Sequence, residues 1–178
     1  MLMAVNYCYM GDLDGAYELI DEAKKDAVYL PPQIVARDNT FLFLDILTNL
    51  SVGRYSEALT HSSKGPAMLF VAKNEELKPY HVEWIVMHSR ILGRIGKFEE
   101  GYQILYRVYK SFENTVGTKQ HDTYVTVCVS LAELSKFKGD ILKMKTYLDE
   151  VNHNLSKVYP EEETNYAEYY RLLGDYLF

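Results

Sequence analysis

Four glycines spaced almost evenly along the chain constrain its fold more than any other feature of the sequence. Gly11, Gly53, Gly96 and Gly139 are separated by 42, 43 and 43 residues. An apolar residue follows each glycine two positions later. Because glycine adopts a left-handed backbone conformation at little cost, each one can end a helix and let the chain reverse. The regular spacing therefore predicts a repeated unit of two helices joined by a tight turn.

The residue five positions after each glycine is expected to set how closely two helices pack. Three of these residues are small, namely Ala16, Ala58 and Gly101, and a small side chain lets two helix backbones approach. The fourth is Met144. We therefore predict that the fourth helix pair packs more loosely than the others, or differently.

Between the glycines, apolar residues recur at intervals of three and four positions, which is typical of amphipathic helices. Prolines fall between these segments or at their starts. The best strand candidate is the stretch 125–129, but it occupies a helical position of the repeat, so packing should override its β-propensity. The sequence predicts an all-α fold of about nine helices, near residues 2–10, 13–29, 33–51, 55–72, 79–94, 97–115, 120–138, 140–158 and 162–177.

Charge and composition exclude several classes of partner. The net charge of −6 gives no general attraction to nucleic acid or to an anionic membrane. The N-terminal segment lacks the basic start of a signal peptide, and the apolar run 41–47 is too short to span a bilayer. The two cysteines form no CxxC pair and are typical of a reducing compartment. We expect a cytoplasmic location, with many of the 16 tyrosines at surfaces, grooves or helix seams.

No recognised catalytic or metal-binding motif occurs in the sequence. None of the five histidines has the HxxxH or HExxH spacing that places two ligands on one helix face. The stretch 93–98 lacks the first glycine and the terminal Ser or Thr of a phosphate-binding loop. The sequence contains neither a nucleophile elbow nor a dinucleotide fingerprint. We therefore predict a protein that is not an enzyme and needs no metal or cofactor, although a site assembled from distant residues stays open.

The signature of glycine, aromatic residue and alanine, in helix pairs at a fixed interval, resembles the tetratricopeptide repeat, whose unit is about 34 residues. The longer period is similar to the extended repeats of kinesin light chains and bacterial peptide-sensing regulators. His121-Asp122-Thr123 is similar to the start of a kinesin-light-chain repeat. The resemblance implies one domain, a right-handed superhelical array of antiparallel helix pairs (an α-solenoid). Its helix-pair repeats are expected near 1–31, 32–74, 75–117 and 118–160, with a final helix at 161–178.

The resemblance also implies a binding surface, because the first helix of each pair lines the concave face in this family. The surface carried over from the family is apolar toward its N-terminal side and charged toward its C-terminal side. Val5, Cys8 and Gly93 belong to this surface. The predicted partner-binding residues are Phe43, Leu47, Leu50, Val86, Arg90, Arg94, Val129, Glu133, Lys136 and Phe137.

Each part of this surface has a plainer alternative. Arg90 and Arg94 lie one helical turn apart and can pair with a ligand carboxylate, or with Glu133 on the next first helix. Phe43 and Leu47 can line a pocket or belong to the helix-pair core. Relatives that clamp the carboxyl terminus of heat-shock chaperones use paired Lys and Asn, and here Phe43, Leu47, Val86 and Arg90 take those places, so that activity is not carried over.

The two ends of the chain are rich in apolar residues, whereas a natural capping helix has a polar outer face. We therefore expect either a piece of a longer protein or a homodimer formed through the terminal helices. The predicted function is a scaffold that recruits a protein or peptide partner. The alternative is the peptide-sensing part of a larger transcriptional or signalling regulator, which responds by changing its conformation or its dimerisation.

Overall fold

The computed structural model describes residues 3, 7, 10–27, 36–65, 79–113, 122–158 and 164–177, and every regular element among them is an α-helix. The all-α prediction is confirmed for these residues. The helices are α1 (Leu13–Ala27), α2 (Ala36–Ser51), α3 (Tyr55–Ser62), α4 (Pro79–Arg94), α5 (Phe98–Glu113), α6 (Asp122–Phe137), α7 (Ile141–Val158) and α8 (Thr164–Leu177).

The predicted helix bounds agree closely with these eight helices, and α4 matches its predicted bounds at both ends. The main difference is α3, which was expected to continue to residue 72 but ends at Ser62. There the hydroxyl groups of Ser62 and Ser63 both donate to the Leu59 carbonyl, and the Gly65 N–H donates to the Ser62 carbonyl. These bonds occupy the Leu59 and Ser62 carbonyl groups, which lie in the last turn and would otherwise lack a partner where the helix ends. Residues 66–72, and most of the first predicted helix at 2–10, lie outside the described residues.

Contacts between residues divide the chain into two compact units, Met1–Leu69 and Phe70–Phe178. In unit 1, α1 packs against α2, and α2 packs against α3. Ile20 and Leu44 are buried where α1 meets α2, with Leu19 packed beside them. The Lys24 ammonium lies 2.8 Å from the Asp45 carboxylate and adds an ion pair between the same two helices.

In unit 2, α6 contacts each of the other four helices. Its neighbours along the chain, α5 and α7, pack against it, and so do α4 and α8. Side chains are therefore buried nearly all the way round α6 from Tyr124 to Ser135. A helix surrounded in this way needs little amphipathic pattern. This burial explains why the stretch 125–129, which resembles a strand in sequence, forms a helix.

The four turn glycines have the left-handed backbone predicted for them, with φ of +79° at Gly11, +76° at Gly53, +84° at Gly96 and +74° at Gly139. At the third turn, the Lys97 N–H donates to the Leu92 carbonyl at 2.8 Å. The Lys97 carbonyl then accepts the first helical bond of α5, from the Gly101 N–H at 3.1 Å. The same two bonds occur at the other three glycines. One residue thus ends the first helix and begins the second.

The residues five positions after the glycines are buried, as expected for a close helix contact. Ala16 and Ala58 have no exposed surface, and a Cβ added to Gly101 would lie 2.7 Å from the Ser89 carbonyl oxygen on α4. The role predicted for a small residue is confirmed at Gly101. The looser packing predicted at Met144 is wrong, because Met144 is fully buried and α6 and α7 make the most extensive contact among the described helix pairs. The long Met side chain fills this interface instead of holding it open.

Candidate functional site

In unit 1, the predicted site residues lie on α2. Phe43, Leu47 and Leu50 are half-buried, so each keeps some surface while also contributing to the helix packing. Val5 and Cys8 lie outside the described residues.

In unit 2, three of the predicted positions are buried. Val86 and Val129 are 6% and 3% exposed, so they belong to the core and offer a partner little side-chain surface. Gly93 is also buried, and a Cβ at this position would lie 2.8 Å from Cδ2 of Leu134. Gly93 therefore lets α4 approach α6 closely.

The charged positions come together where α4 meets α6. Arg94 Nη2 donates to Glu133 Oε1 at 3.2 Å, and Arg90 Nε lies 3.4 Å from Glu133 Oε2. The Glu133 side chain is 5% exposed. The structure thus shows the plainer alternative for these residues, in which both arginines pair with Glu133. A buried carboxylate needs such partners, because its desolvation is costly.

Helix α8 adds three charged residues that were not among the predicted site residues. Arg171 Nη2 lies 3.5 Å from Glu133 Oε1. The other two residues pair with cations on α4 and α6. Arg90 Nη2 donates to Glu168 Oε1 at 3.2 Å, and Lys136 Nζ lies 2.7 Å from Asp175 Oδ2. Their positions along α8 are three and four residues apart, which places them on one helix face and is the sequence signal that was available. We call this set the arginine cluster: Arg90, Arg94, Glu133, Lys136, Glu168, Arg171 and Asp175.

The ion pairs of the arginine cluster are unevenly distributed. Arg171 contacts three carboxylates, those of Glu133, Glu168 and Asp175. Arg90 contacts two, whereas the structure gives Arg94 one. The hydrogen bond from Lys136 lowers the pKa of Asp175, so this carboxylate stays charged at neutral pH. Four cations face three carboxylates, which leaves one positive charge unbalanced.

An apolar floor lies beside the cluster. The Arg94 guanidinium carbon sits 5.6 Å from the centre of the Phe137 ring, in a cation–π contact. Phe137 also packs against Phe98, with ring centres 5.7 Å apart. Both rings line a shallow, open depression of about 630 Å³, whose other lining residues are Gly96, Lys97, Glu99, Glu100 and Lys138.

A second cluster in unit 2 is aromatic. We call it the tyrosine cluster: Tyr102, Tyr106 and Tyr109 on α5, Tyr124 on α6 and Tyr147 on α7. The hydroxyls of Tyr102 and Tyr147 share a hydrogen bond of 2.7 Å, and the Tyr124 hydroxyl donates to Glu150 Oε2 at 2.7 Å. Burial raises the pKa of both Tyr124 and Tyr147, so both phenols stay neutral. These hydroxyls are engaged within the protein and are not presented to a ligand.

The described residues contain no group of three His, Cys, Asp or Glu side chains that could hold a metal ion. Burial lowers the pKa of His88, which keeps its imidazole neutral inside the helix packing. Among the helices that the structure describes, none is long and apolar enough to cross a membrane.

No protein-family model matches this chain, and no curated protein matches it either.

Proposed function

We propose that this chain is a non-catalytic scaffold of tetratricopeptide type, whose helix pairs stack into a right-handed α-solenoid that binds a protein or peptide. The observation that carries the proposal is that all four glycine turns have a left-handed glycine and the same two backbone hydrogen bonds. A stacked array requires each pair to turn in the same way. The sequence spacing of these turns supports the same conclusion.

The packing of unit 2 supports the proposal in a second way. Helices α4 and α6 are the first helices of consecutive pairs, and α8 follows the second of these pairs. Helix α4 contacts α6, and α6 contacts α8, so the three form a row. In a tetratricopeptide array, this row forms the concave binding face. Here it carries the arginine cluster, whose arginine and lysine side chains are one-third to one-half exposed. Arginine is enriched among the residues that dominate interface affinity.

The proposal is tested by selecting short random peptides on the immobilised whole chain and measuring the binding of the enriched sequences in solution. We expect peptides that share a fixed pattern of apolar and charged positions, because a few anchor contacts dominate such affinities. A matched selection on chain unfolded by urea provides the control. Failure to enrich any sequence beyond that control contradicts a peptide-binding function.

The outer surface of α8 favours the second function, a sensing domain that acts through dimerisation. Tyr166, Tyr170, Leu173 and Leu177 recur at intervals of four, three and four residues, the spacing of a helix–helix seam. Tyr170 and Leu177 are 60% and 63% exposed. Light scattering of the purified chain, alone and as Tyr170→Glu, tests this function. We expect a dimer that the substitution dissociates, and a monomer at high concentration contradicts it.

A cytoplasmic location is part of the proposal. Cys128 is a buried thiol within α6, and a reducing compartment keeps such a thiol from oxidation. Quenching cells in acid, alkylating the thiols of the denatured chain and analysing it by mass spectrometry tests this point. Recovery of Cys128 in a disulfide would contradict it.

A further inference from the structure

We infer that Arg94 binds a carboxylate of the partner, and that an apolar side chain beside that carboxylate rests on the depression formed by Phe98 and Phe137. This inference depends on the proposed peptide-binding function and specifies the chemistry of the ligand. The partner segment is thus acidic and apolar at neighbouring positions.

The donor capacity of Arg94 exceeds what the protein uses. A guanidinium carries five N–H donors, and one of them bonds to Glu133 Oε1. Among the described residues, no other acceptor is in hydrogen-bond contact with Arg94. Its side chain is 49% exposed, the highest value among the arginines of the cluster. A second carboxylate can therefore approach Arg94 from solvent without displacing Glu133.

The charge of the cluster favours an anionic ligand. Its four cations face three carboxylates, and each of these carboxylates is already shared between at least two cations. One further carboxylate would balance the cluster. The acidic residues around the depression do not remove this preference, because Glu99 pairs with Lys138 and Glu100 pairs with Lys97.

Arg94 is also held in place before a ligand arrives. Phe137 supports one face of the guanidinium, and Glu133 holds one of its N–H groups. A preorganised arginine loses less conformational freedom on binding than a mobile one. Because Phe137 also lines the depression, the charged contact and the apolar contact adjoin each other. Glu133 is the positioning residue, and Arg94 contacts the ligand.

The test is a set of three parallel selections of short random peptides on the whole chain, on Arg94→Gln and on Arg107→Gln. Arg107 is an exposed arginine on α5 and serves as the matched control. We expect the same acidic residue next to an apolar one on the native chain and on Arg107→Gln, and its loss on Arg94→Gln. Circular dichroism verifies that all three proteins have the same helix content.

The best peptide is then synthesised with its acidic residue and with the matching amide, and both are measured against the native chain, Arg94→Gln and Arg94→Lys. We expect either change alone to weaken binding about tenfold or more, and both together to add little, because they remove the same charge-assisted bond. Arg94→Lys should retain part of the affinity.

Two other results would overturn the inference. Enriched peptides that have no fixed acidic position, or that bind Arg94→Gln as tightly as the native chain, contradict the role of Arg94 but leave the proposed function intact. Selections that enrich nothing on any of the three proteins contradict the proposed function and the inference together.

Discussion

The tyrosine cluster and the arginine cluster both join helices of unit 2 through α6, but they do so with opposite chemistry. Tyr124 and Glu133 are about two and a half helical turns apart, so the two clusters meet opposite faces of α6. The tyrosines are stacked and mostly buried, and the hydroxyls of Tyr102, Tyr124 and Tyr147 have partners inside the protein. The arginine cluster is partly exposed and one carboxylate short of balance. The comparison indicates that the tyrosine face serves stability, and we propose that the arginine face contacts a ligand.

The largest expected loss of stability comes from removing a buried ring of the tyrosine cluster. Tyr124 is fully buried, stacks on Tyr109 and meets Phe112 edge-on. Replacement of Tyr124 by Ala leaves a cavity, and we expect the free energy of unfolding to fall by about 4 kcal/mol. Urea unfolding measures this change. Tyr17→Ala is the control, since Tyr17 is an exposed tyrosine outside both clusters and should cost less than about 1 kcal/mol. Similar losses for the two variants would show that burial does not distinguish them.

Glu133→Gln removes the charge at the centre of the arginine cluster. Three arginines then lose a buried counter-ion, and we expect the free energy of unfolding to fall by about 3 kcal/mol. The control is Glu99→Gln, because the Glu99 side chain is 64% exposed and pairs with Lys138 at the surface. This substitution should have an effect near zero. Urea unfolding of both variants gives the comparison. A loss below about 1 kcal/mol for Glu133→Gln would mean that Glu168 and Asp175 suffice to balance the arginines.

The tyrosine cluster should also contribute less to stability at alkaline pH. Burial raises the pKa of Tyr124 and Tyr147 above the ordinary value of about 10, so the unfolded chain releases these protons first. Stability from these tyrosines is therefore complete below about pH 10 and falls above it, by about 1.4 kcal/mol per pH unit for each phenol. Unfolding measured over a pH series tests this slope. For Tyr147→Phe, the free energy of unfolding should fall less steeply with pH than for the native chain. An equal slope would contradict the assignment of this loss to Tyr147.

The smallest effect is expected from removing a single hydroxyl. Tyr147→Phe leaves the Tyr102 hydroxyl without the partner that it has now, and we expect a loss of about 1 kcal/mol at neutral pH. The matched variant is the double substitution of Tyr102 and Tyr147 by Phe. Because both ends of the bond are then removed, its loss should be smaller than the sum of the two single losses. Strict additivity in urea unfolding would mean that the hydroxyls do not interact.

The local features of the fold could be predicted from the sequence because they depend on neighbouring residues. A glycine with a left-handed backbone is needed at each turn, and the spacing of the four glycines showed where the turns are. Helix periodicity gave bounds close to those of the structure, except at α3, where a short run of serines and Gly65 ends the helix. Met144 was misjudged, because residue size does not show how much space a neighbouring helix leaves.

The site could be predicted in part. The family resemblance placed Arg90, Arg94 and Glu133 on facing helices, and the structure brings them together. It did not identify Arg171 and the other charged residues of α8, because only the contact between α8 and α6 brings them to Glu133. The tyrosine cluster was likewise not predicted, although Tyr102, Tyr106 and Tyr109 recur at helical spacing on α5. Which faces meet is decided by contacts between helices that are distant in sequence.

The turns that share one residue between two helices also fix an angle. The Lys97 N–H bonds to the last turn of α4 and the Lys97 carbonyl accepts the first bond of α5, so the rotation of α5 about its axis is tied to that of α4. One residue inserted at this corner would turn the second helix by about 100° and carry its buried row of side chains toward solvent. At such a corner, the number of residues therefore decides which face of the second helix points toward the core. We expect natural changes in the length of the chain to avoid the corners, or to add and remove whole helix pairs.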